Sequence, residues 1–269
     1  MTNKRKIAIL YDFDQTLSTK SMQEYGVFDY LETDADTFYS KLDDISAKYQ
    51  MDRVLAFLYE LVSRAREINK PLTREVLQKG GENIEFFPGV LNWFSQINKF
   101  GQDHGFEIEH YLISSGVTEI VEGCKIAKEF KKIYACQFIY DDNGNVAWPA
   151  RAINYTNKTQ FIFRINKGIL DVADDSINKV MQKDIRPIPY ENIIYIGDGF
   201  TDIPCMKVVK SKGGMSIAVY GDSKDVGFSL YKDDRVTACC KADYTVGSEI
   251  DITIKNFILT LQSKLDKNI

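Results

Sequence analysis

Short continuous apolar runs alternate along most of this chain with stretches whose apolar residues recur every three or four positions. Ile7–Tyr11 is such a run, the pattern of a strand buried on both faces. It gives way at Asp12 to a polar loop that reaches Ser21. From Met22 to Gly80 no strand signal appears. Val54, Phe57, Leu58, Leu61, Val62 and Ala65 recur at helical spacing, and Leu31, Phe38, Leu42 and Ile45 also fit helical segments. The pattern predicts a helical insert over 20–87, bounded by Gly80-Gly81 and Pro88-Gly89. Beyond it, helices are predicted at 90–100 and 118–132, with a strand at 108–113 between them. Residues 134–140 and 146–150 flank Asp141-Asp142-Asn143-Gly144-Asn145, which signals a hairpin. Helices near 157–167 and 174–182, a strand at 192–196, a helix at 201–210, a strand at 215–219 and a helix at 223–231 follow. A short strand near Tyr244 precedes a last helix, where Ile250, Ile254, Phe257, Ile258, Leu261 and Leu265 form one stripe. This alternation predicts an α/β protein with a doubly wound, Rossmann-like parallel sheet built from 1–19 and 88–269.

Composition narrows the function classes. The chain has 269 residues, 44% hydrophobic and 27% charged, enough to bury a large core. Its net charge of −4 argues against a nucleic-acid partner, which would meet a basic face. No run is long enough to span a membrane. The basic stretch Met1–Lys6 is followed by an apolar run too short for a signal peptide, so a cytoplasmic location is expected. The five cysteines form no CxxC pair and read as reduced, buried thiols. With only His104 and His110 present, histidine-based catalysis and a His-rich zinc site are not expected.

In a sheet of this kind, ligands collect beyond the carboxyl ends of the strands. Three polar segments follow predicted strands: Asp12-Phe13-Asp14-Gln15-Thr16, Ser114-Ser115-Gly116, and Gly197-Asp198-Gly199-Phe200-Thr201-Asp202. Several carboxylates and two hydroxyls would converge on one edge, and a divalent cation such as Mg2+ would offset their repulsion. A calcium loop starting at Asp12 is excluded, because Leu17 and Gln23 stand where glycine and glutamate are needed.

With these motifs in this order, the chain resembles the haloacid dehalogenase-like hydrolase superfamily, in its magnesium-dependent phosphatase branch. The lysine of the third family motif matches Lys158 in Thr156-Asn157-Lys158-Thr159, with Lys167 as the competitor. The helical insert is similar to that family's C1 cap, and the small hairpin occurs in phosphoserine-phosphatase-like members. The resemblance implies that Asp12 is the nucleophile and Asp14 the acid and base. It implies Mg2+ held by Asp12, Asp14, Asp198 and Asp202, and a phosphoryl group held by Thr16, Ser114, Ser115 and Lys158. Backbone N–H groups at a helix N-terminus just after Ser114 would assist.

The expected activity is hydrolysis of a small phosphorylated metabolite through an aspartyl-phosphate intermediate. A phosphotransferase or phosphomutase of the same fold, or a non-catalytic phosphate- or metal-binding protein, is the alternative. Asp14 disfavours a dehalogenase. Phosphoserine phosphatases carry a glutamate where this chain has Ser21, and Glu24 is the nearest substitute. Among the aromatic residues Tyr25, Phe28, Tyr30, Phe38 and Tyr39, one or two are expected to line a substrate pocket.

Overall fold

A computed structural model describes residues 5–266, with side chains through 264. The expectations for Met1–Lys4 and for the Leu265 side chain lie outside the described residues. Strand β1 (Arg5–Tyr11) sits at the centre of a seven-stranded sheet. Its residues Ile7–Tyr11 are fully buried, as the continuous apolar run requires. The sheet order is β4-β3-β2-β1-β5-β6-β7, with β2 at Phe106–Val117, β3 at Lys132–Tyr140 and β4 at Val146–Arg151. On the other side lie β5 (Ile193–Gly197), β6 (Met215–Tyr220) and β7 (Ala238–Lys241). All neighbours pair in parallel except β3 and β4, the predicted hairpin. Chain order reverses between β1 and β5, which makes that edge the topological switch point.

Five α-helices lie between β1 and β2, and the first four form the insert: α1 (Val27–Tyr30), α2 (Ala35–Tyr49), α3 (Arg53–Glu67) and α4 (Arg74–Gly81). Asp34, Asp52 and Thr73 cap the last three by accepting N–H groups of the first turn. The helices against the sheet are α5 (Val90–Asp103), α6 (Thr118–Glu122), α7 (Thr159–Lys167), α8 (Ile203–Ser211), α9 (Asp225–Lys232) and α10 (Glu249–Asp266). Ile250, Ile254, Ile258 and Leu261 of α10 are buried, as their stripe predicts.

Three predicted elements differ. The helix expected over 118–132 stops at Glu122, because α4 crosses there. A Cβ on Gly123 would sit 1.8 Å from the Gln78 carbonyl oxygen, and one on Gly81 would sit 1.9 Å from that of Ile120. Backbone meets backbone at that crossing, and the chain turns away. The helix expected at 174–182 is replaced by one 3-10 turn, Asp175–Asn178. The Arg164 guanidinium donates to the carbonyls of Asp171, Val172 and Asp174, which holds this stretch as an irregular loop. The last strand ends at Lys241, three residues before Tyr244, whose hydroxyl instead donates to the Thr16 carbonyl at 2.8 Å.

Beneath the end of β1 runs a buried polar chain. Trp93 Nε1–H donates to the Tyr11 hydroxyl at 2.8 Å. That hydroxyl is then free to donate to His110 Nδ1 at 2.9 Å, which assigns the proton to Nε2, 2.9 Å from Asn98 Oδ1. Burial pushes His110 down to about 3. The folded protein therefore keeps the ring neutral, while the unfolded chain takes up a proton below about pH 6.5. Stability from this source rises with pH between about 3 and about 6.5 and is flat above. Urea denaturation across pH 4.5–6.5 should show His110→Gln losing up to about 1.4 kcal/mol per pH unit of the wild-type slope. An unchanged slope would show that the ring is protonated in the fold. At the helix crossing, Gly81→Ala should cost about 1–3 kcal/mol by the same measurement.

Candidate active site

Each polar segment at the carboxyl edge of the sheet is held by a different local device. Asp12 extends the β1–β5 pairing, with its N–H donating to the Ile196 carbonyl at 2.9 Å. The loop then coils tightly, with the N–H groups of Thr16, Leu17 and Ser18 all directed to the Phe13 carbonyl. Gln15 takes the left-handed conformation, φ 56°, that this turn demands. Asp14 Oδ1 accepts the Met22 N–H at 2.8 Å, which ties the second carboxylate to the start of the helical insert.

In β2 the register with β3 slips: Ile113 faces Tyr134, yet Val117 faces Cys136. Two extra residues bulge out, so Ser114, Ser115 and Gly116 all reach the cavity, where a regular strand would alternate. Ser114 Oγ accepts the Gly116 N–H at 3.0 Å, whereas Ser115 Oγ is buried without a partner. β2 continues to Val117, and α6 starts at Thr118, where the helix was expected to begin.

Lys158 immediately precedes α7 and is fully buried. Its Nζ lies 3.0 Å from Asp12 Oδ1 and 2.9 Å from Asp202 Oδ1. Asp202 reaches inward because Gly197 has no side chain: a Cβ there would stand 2.5 Å from the Asp202 carboxyl. The Tyr195 hydroxyl also donates to Asp202 Oδ1, at 2.7 Å. Lys167, the competing lysine, binds the carbonyls of Ile177 and Lys179 instead.

Electrostatics follow from this enclosure. Burial and the Asp202 carboxylate push Asp12 up to about 6, although Lys158 pulls it down. Burial and the Asp12 charge push Asp14 up to about 8. Asp198 is also pushed up to about 8, by burial and then by Asp202 and Asp12. For Lys158 burial alone would favour the neutral amine, but Asp12 and Asp202 outweigh it and hold the ammonium above its ordinary value. Carboxylate oxygens of Asp12, Asp198 and Asp202 lie within 4.8 Å of one another. Two of these three carboxylates share one ammonium, Asp198 pairs with none among the described residues, and the oxygen-only donor set fits a hard divalent cation.

These groups line a cavity of about 320 Å³ between the sheet edge and the helical insert. Asp12, Asp14, Ser114, Ser115, Lys158 and Asp198 all border it, as does Thr201. Asp202 lies behind Lys158, completely buried. Thr16 departs from expectation: it is fully buried, does not line the cavity, and leaves its hydroxyl unpartnered. Glu24 does not line the cavity either; its carboxylate accepts the Ser21 N–H at 3.2 Å and caps the 3-10 turn Met22–Tyr25. Of the five insert aromatics only Tyr39 borders the cavity. Gln23, Arg53 and Tyr155 border it as well, and sequence reasoning missed them. Tyr195 was missed because it sits inside an apolar run that reads as core.

No family model matches the chain. Solved structures, however, share its architecture over most of its length. A HAD-family hydrolase of Salmonella enterica serovar Typhi superposes with a TM-score of 0.59 at 17% identity, covering 92% of this chain and 69% of that one. A probable phosphoserine phosphatase of Vibrio cholerae gives 0.61 at 12% identity, over 98% and 69%. A phosphoserine phosphatase solved as an analogue of its phospho-aspartyl intermediate gives 0.55 at 18% identity, over 94% and 99%. The chain therefore has the haloacid dehalogenase-like fold, in the form seen in phosphoserine phosphatases. In sequence it is 28% identical to an uncharacterized protein of Borreliella burgdorferi, over 91% of this chain and 93% of that one.

Removing the buried ammonium should be costly, because it strands Asp12 and Asp202 together. Lys158→Met is expected to lose about 3–5 kcal/mol in thermal or urea unfolding. Adding Asp202→Asn should recover part of that loss, and a strictly additive double variant would refute the pairing.

Proposed function

We propose that this chain is a magnesium-dependent phosphatase that hydrolyses a small phosphorylated metabolite through an aspartyl-phosphate intermediate. The observation that carries this reading is the convergence of Asp12, Asp14, Lys158 and Asp198 on one enclosed cavity at the switch point of the sheet. The fold, shared with a phosphoserine phosphatase solved as a phospho-aspartyl analogue, supports it. A protein that only bound phosphate would have no use for a second buried carboxyl two residues after the first.

In this reading the Asp12 carboxylate attacks phosphorus, and the bond to the alcohol oxygen breaks. Asp14 gives its proton to the departing oxygen; its raised value keeps that proton available near neutral pH. Asp14 then takes a proton from the water that attacks the same phosphorus, which releases orthophosphate and restores Asp12. Lys158, Ser114 and Ser115 hold the phosphoryl oxygens. Asp12, Asp198, Asp202 and the Asp14 backbone carbonyl would hold Mg2+, which would supply positive charge against the anionic phosphoryl group.

We read 20–87 as a cap over a core of 1–19 and 88–269, closing the cavity against water and bulky substrates. No helix among the described residues is long and apolar enough to cross a membrane, and we take the protein to act in the cytoplasm without a nucleic-acid or membrane partner.

Wild-type protein should release phosphate from para-nitrophenyl phosphate with Mg2+ and not with excess EDTA. Asp12→Asn should lower kcat by about 10³-fold or more. Activity that survives Asp12→Asn would overturn the mechanism. Independently of activity, saturating Mg2+ should raise the melting temperature of the wild type, with about 2.7 kcal/mol gained at a hundredfold excess over Kd. Asp198→Asn should blunt that shift.

A further inference from the structure

We propose that Gln23 determines specificity, its side-chain amide hydrogen-bonding a hydroxyl on the alcohol part of the phosphate ester. This rests on the phosphatase reading above and names its substrate class: phosphomonoesters of neutral, hydroxylated alcohols.

Gln23 is 4% exposed yet borders the cavity. One end of its amide is spent on the Tyr39 hydroxyl, while Oε1 is buried without any partner. A buried, unpartnered amide oxygen costs about 1–3 kcal/mol, a cost that a ligand hydroxyl donating to it removes. Its place in the chain fixes which part of the ester it meets. The preceding residue, Met22, donates its N–H to Asp14, the group beside the leaving oxygen. Ser115, Lys158 and Asp12 occupy the phosphoryl side. Gln23 therefore stands on the leaving-group side.

The charged groups of the insert nearest the cavity already have partners. Asp52 accepts the N–H groups of Val54 and Leu55 and the Asn154 amide. Glu24 is held by the Ser21 N–H. The Arg53 guanidinium pairs with Asp43, and both side chains are more than half exposed. What remains of the insert wall is the neutral Ser21 and Tyr39 hydroxyls and the apolar Leu42, Val54 and Phe57. The insert carboxylate that borders the cavity, Asp52, is already spent on capping α3 and on the Asn154 amide, so the buried neutral amide with an unpaired oxygen is the group that discriminates. A site built to pair a hydroxyl rejects the analogue that lacks it, since the amide is then stranded again.

The test is a competition among matched esters of increasing chain length: alkanediol monophosphates, alkyl phosphates with a methyl in place of the terminal hydroxyl, aminoalkyl phosphates, and carboxyalkyl phosphates. At one chain length the wild type should favour the diol ester over its three counterparts by about tenfold or more in kcat/KM. Gln23→Leu should erase the preference between diol and alkyl esters, mainly through KM. Gln23→Glu should move the preference toward the aminoalkyl ester. If the leucine variant melts early, Gln23→Met and the glutamate variant carry the comparison. Equal rates on all four esters, or a diol preference that survives loss of the amide, overturn the proposal. A preference for the carboxyalkyl ester also overturns it and assigns recognition to Arg53. A wild type without Mg2+-dependent activity on any ester, para-nitrophenyl phosphate included, fails the phosphatase reading itself and this inference with it. Activity on the aryl ester with no diol preference fails the inference alone.

Discussion

One buried ammonium organises the carboxyl edge of this sheet. Lys158 Nζ stands about 3 Å from carboxylates contributed by two neighbouring strand ends, and both acids are themselves withdrawn from water. Either carboxylate alone would be costly to bury, and both together would repel. With the lysine between them, Asp12 can close the end of β1 and Asp202 can fold back beneath β5. The arrangement also sets what is left over. Asp198 and Asp14 form no ion pair among the described residues, and burial, followed by the neighbouring carboxylates, raises both.

The backbone around this centre departs from regularity where the chemistry asks for it. A two-residue bulge in β2 turns three successive residues toward one cavity. Gly197 leaves the space that Asp202 occupies. Tyr244, from beyond the far edge of the sheet, reaches the Thr16 carbonyl and steadies the first loop from behind. Each of these contacts fixes the backbone or a side chain at the carboxyl edge of the sheet.

Much of the site could be read from sequence because strand ends are predictable. Apolar runs such as Ile7–Tyr11 and Ile193–Ile196 announce buried strands, and the acids that follow them must emerge at one edge. Asp12, Asp14 and Asp198 were legible for that reason, whereas Lys158, at the start of a helix, was reached only through the family resemblance. Thr16 was not, because a loop coiled around one carbonyl turns its side chain away from the edge. The bulge after Ile113 leaves no mark in composition, so Ser114 and Ser115 looked like alternatives when both border the cavity. Gln23 and Tyr39 lie on a helical insert whose spacing speaks only of packing. The end of the 118–132 helix depended on α4 crossing it, a contact between segments far apart in the chain.

That crossing divides the insert mechanically. At Gly81 and Gly123, α4 meets the α6 region with no room for a methyl group, and Arg74 adds an ion pair to Glu122 at 2.7 Å. The loop before α4 is stitched to the hairpin as well, where the Val146 N–H donates to the Leu72 carbonyl at 2.8 Å. The fourth helix is thus effectively part of the floor. The opposite wall of the cavity is formed by α2 and α3, through Tyr39, Leu42, Val54 and Phe57. Only the first part of the insert, α2 and α3, is therefore free of that backbone crossing.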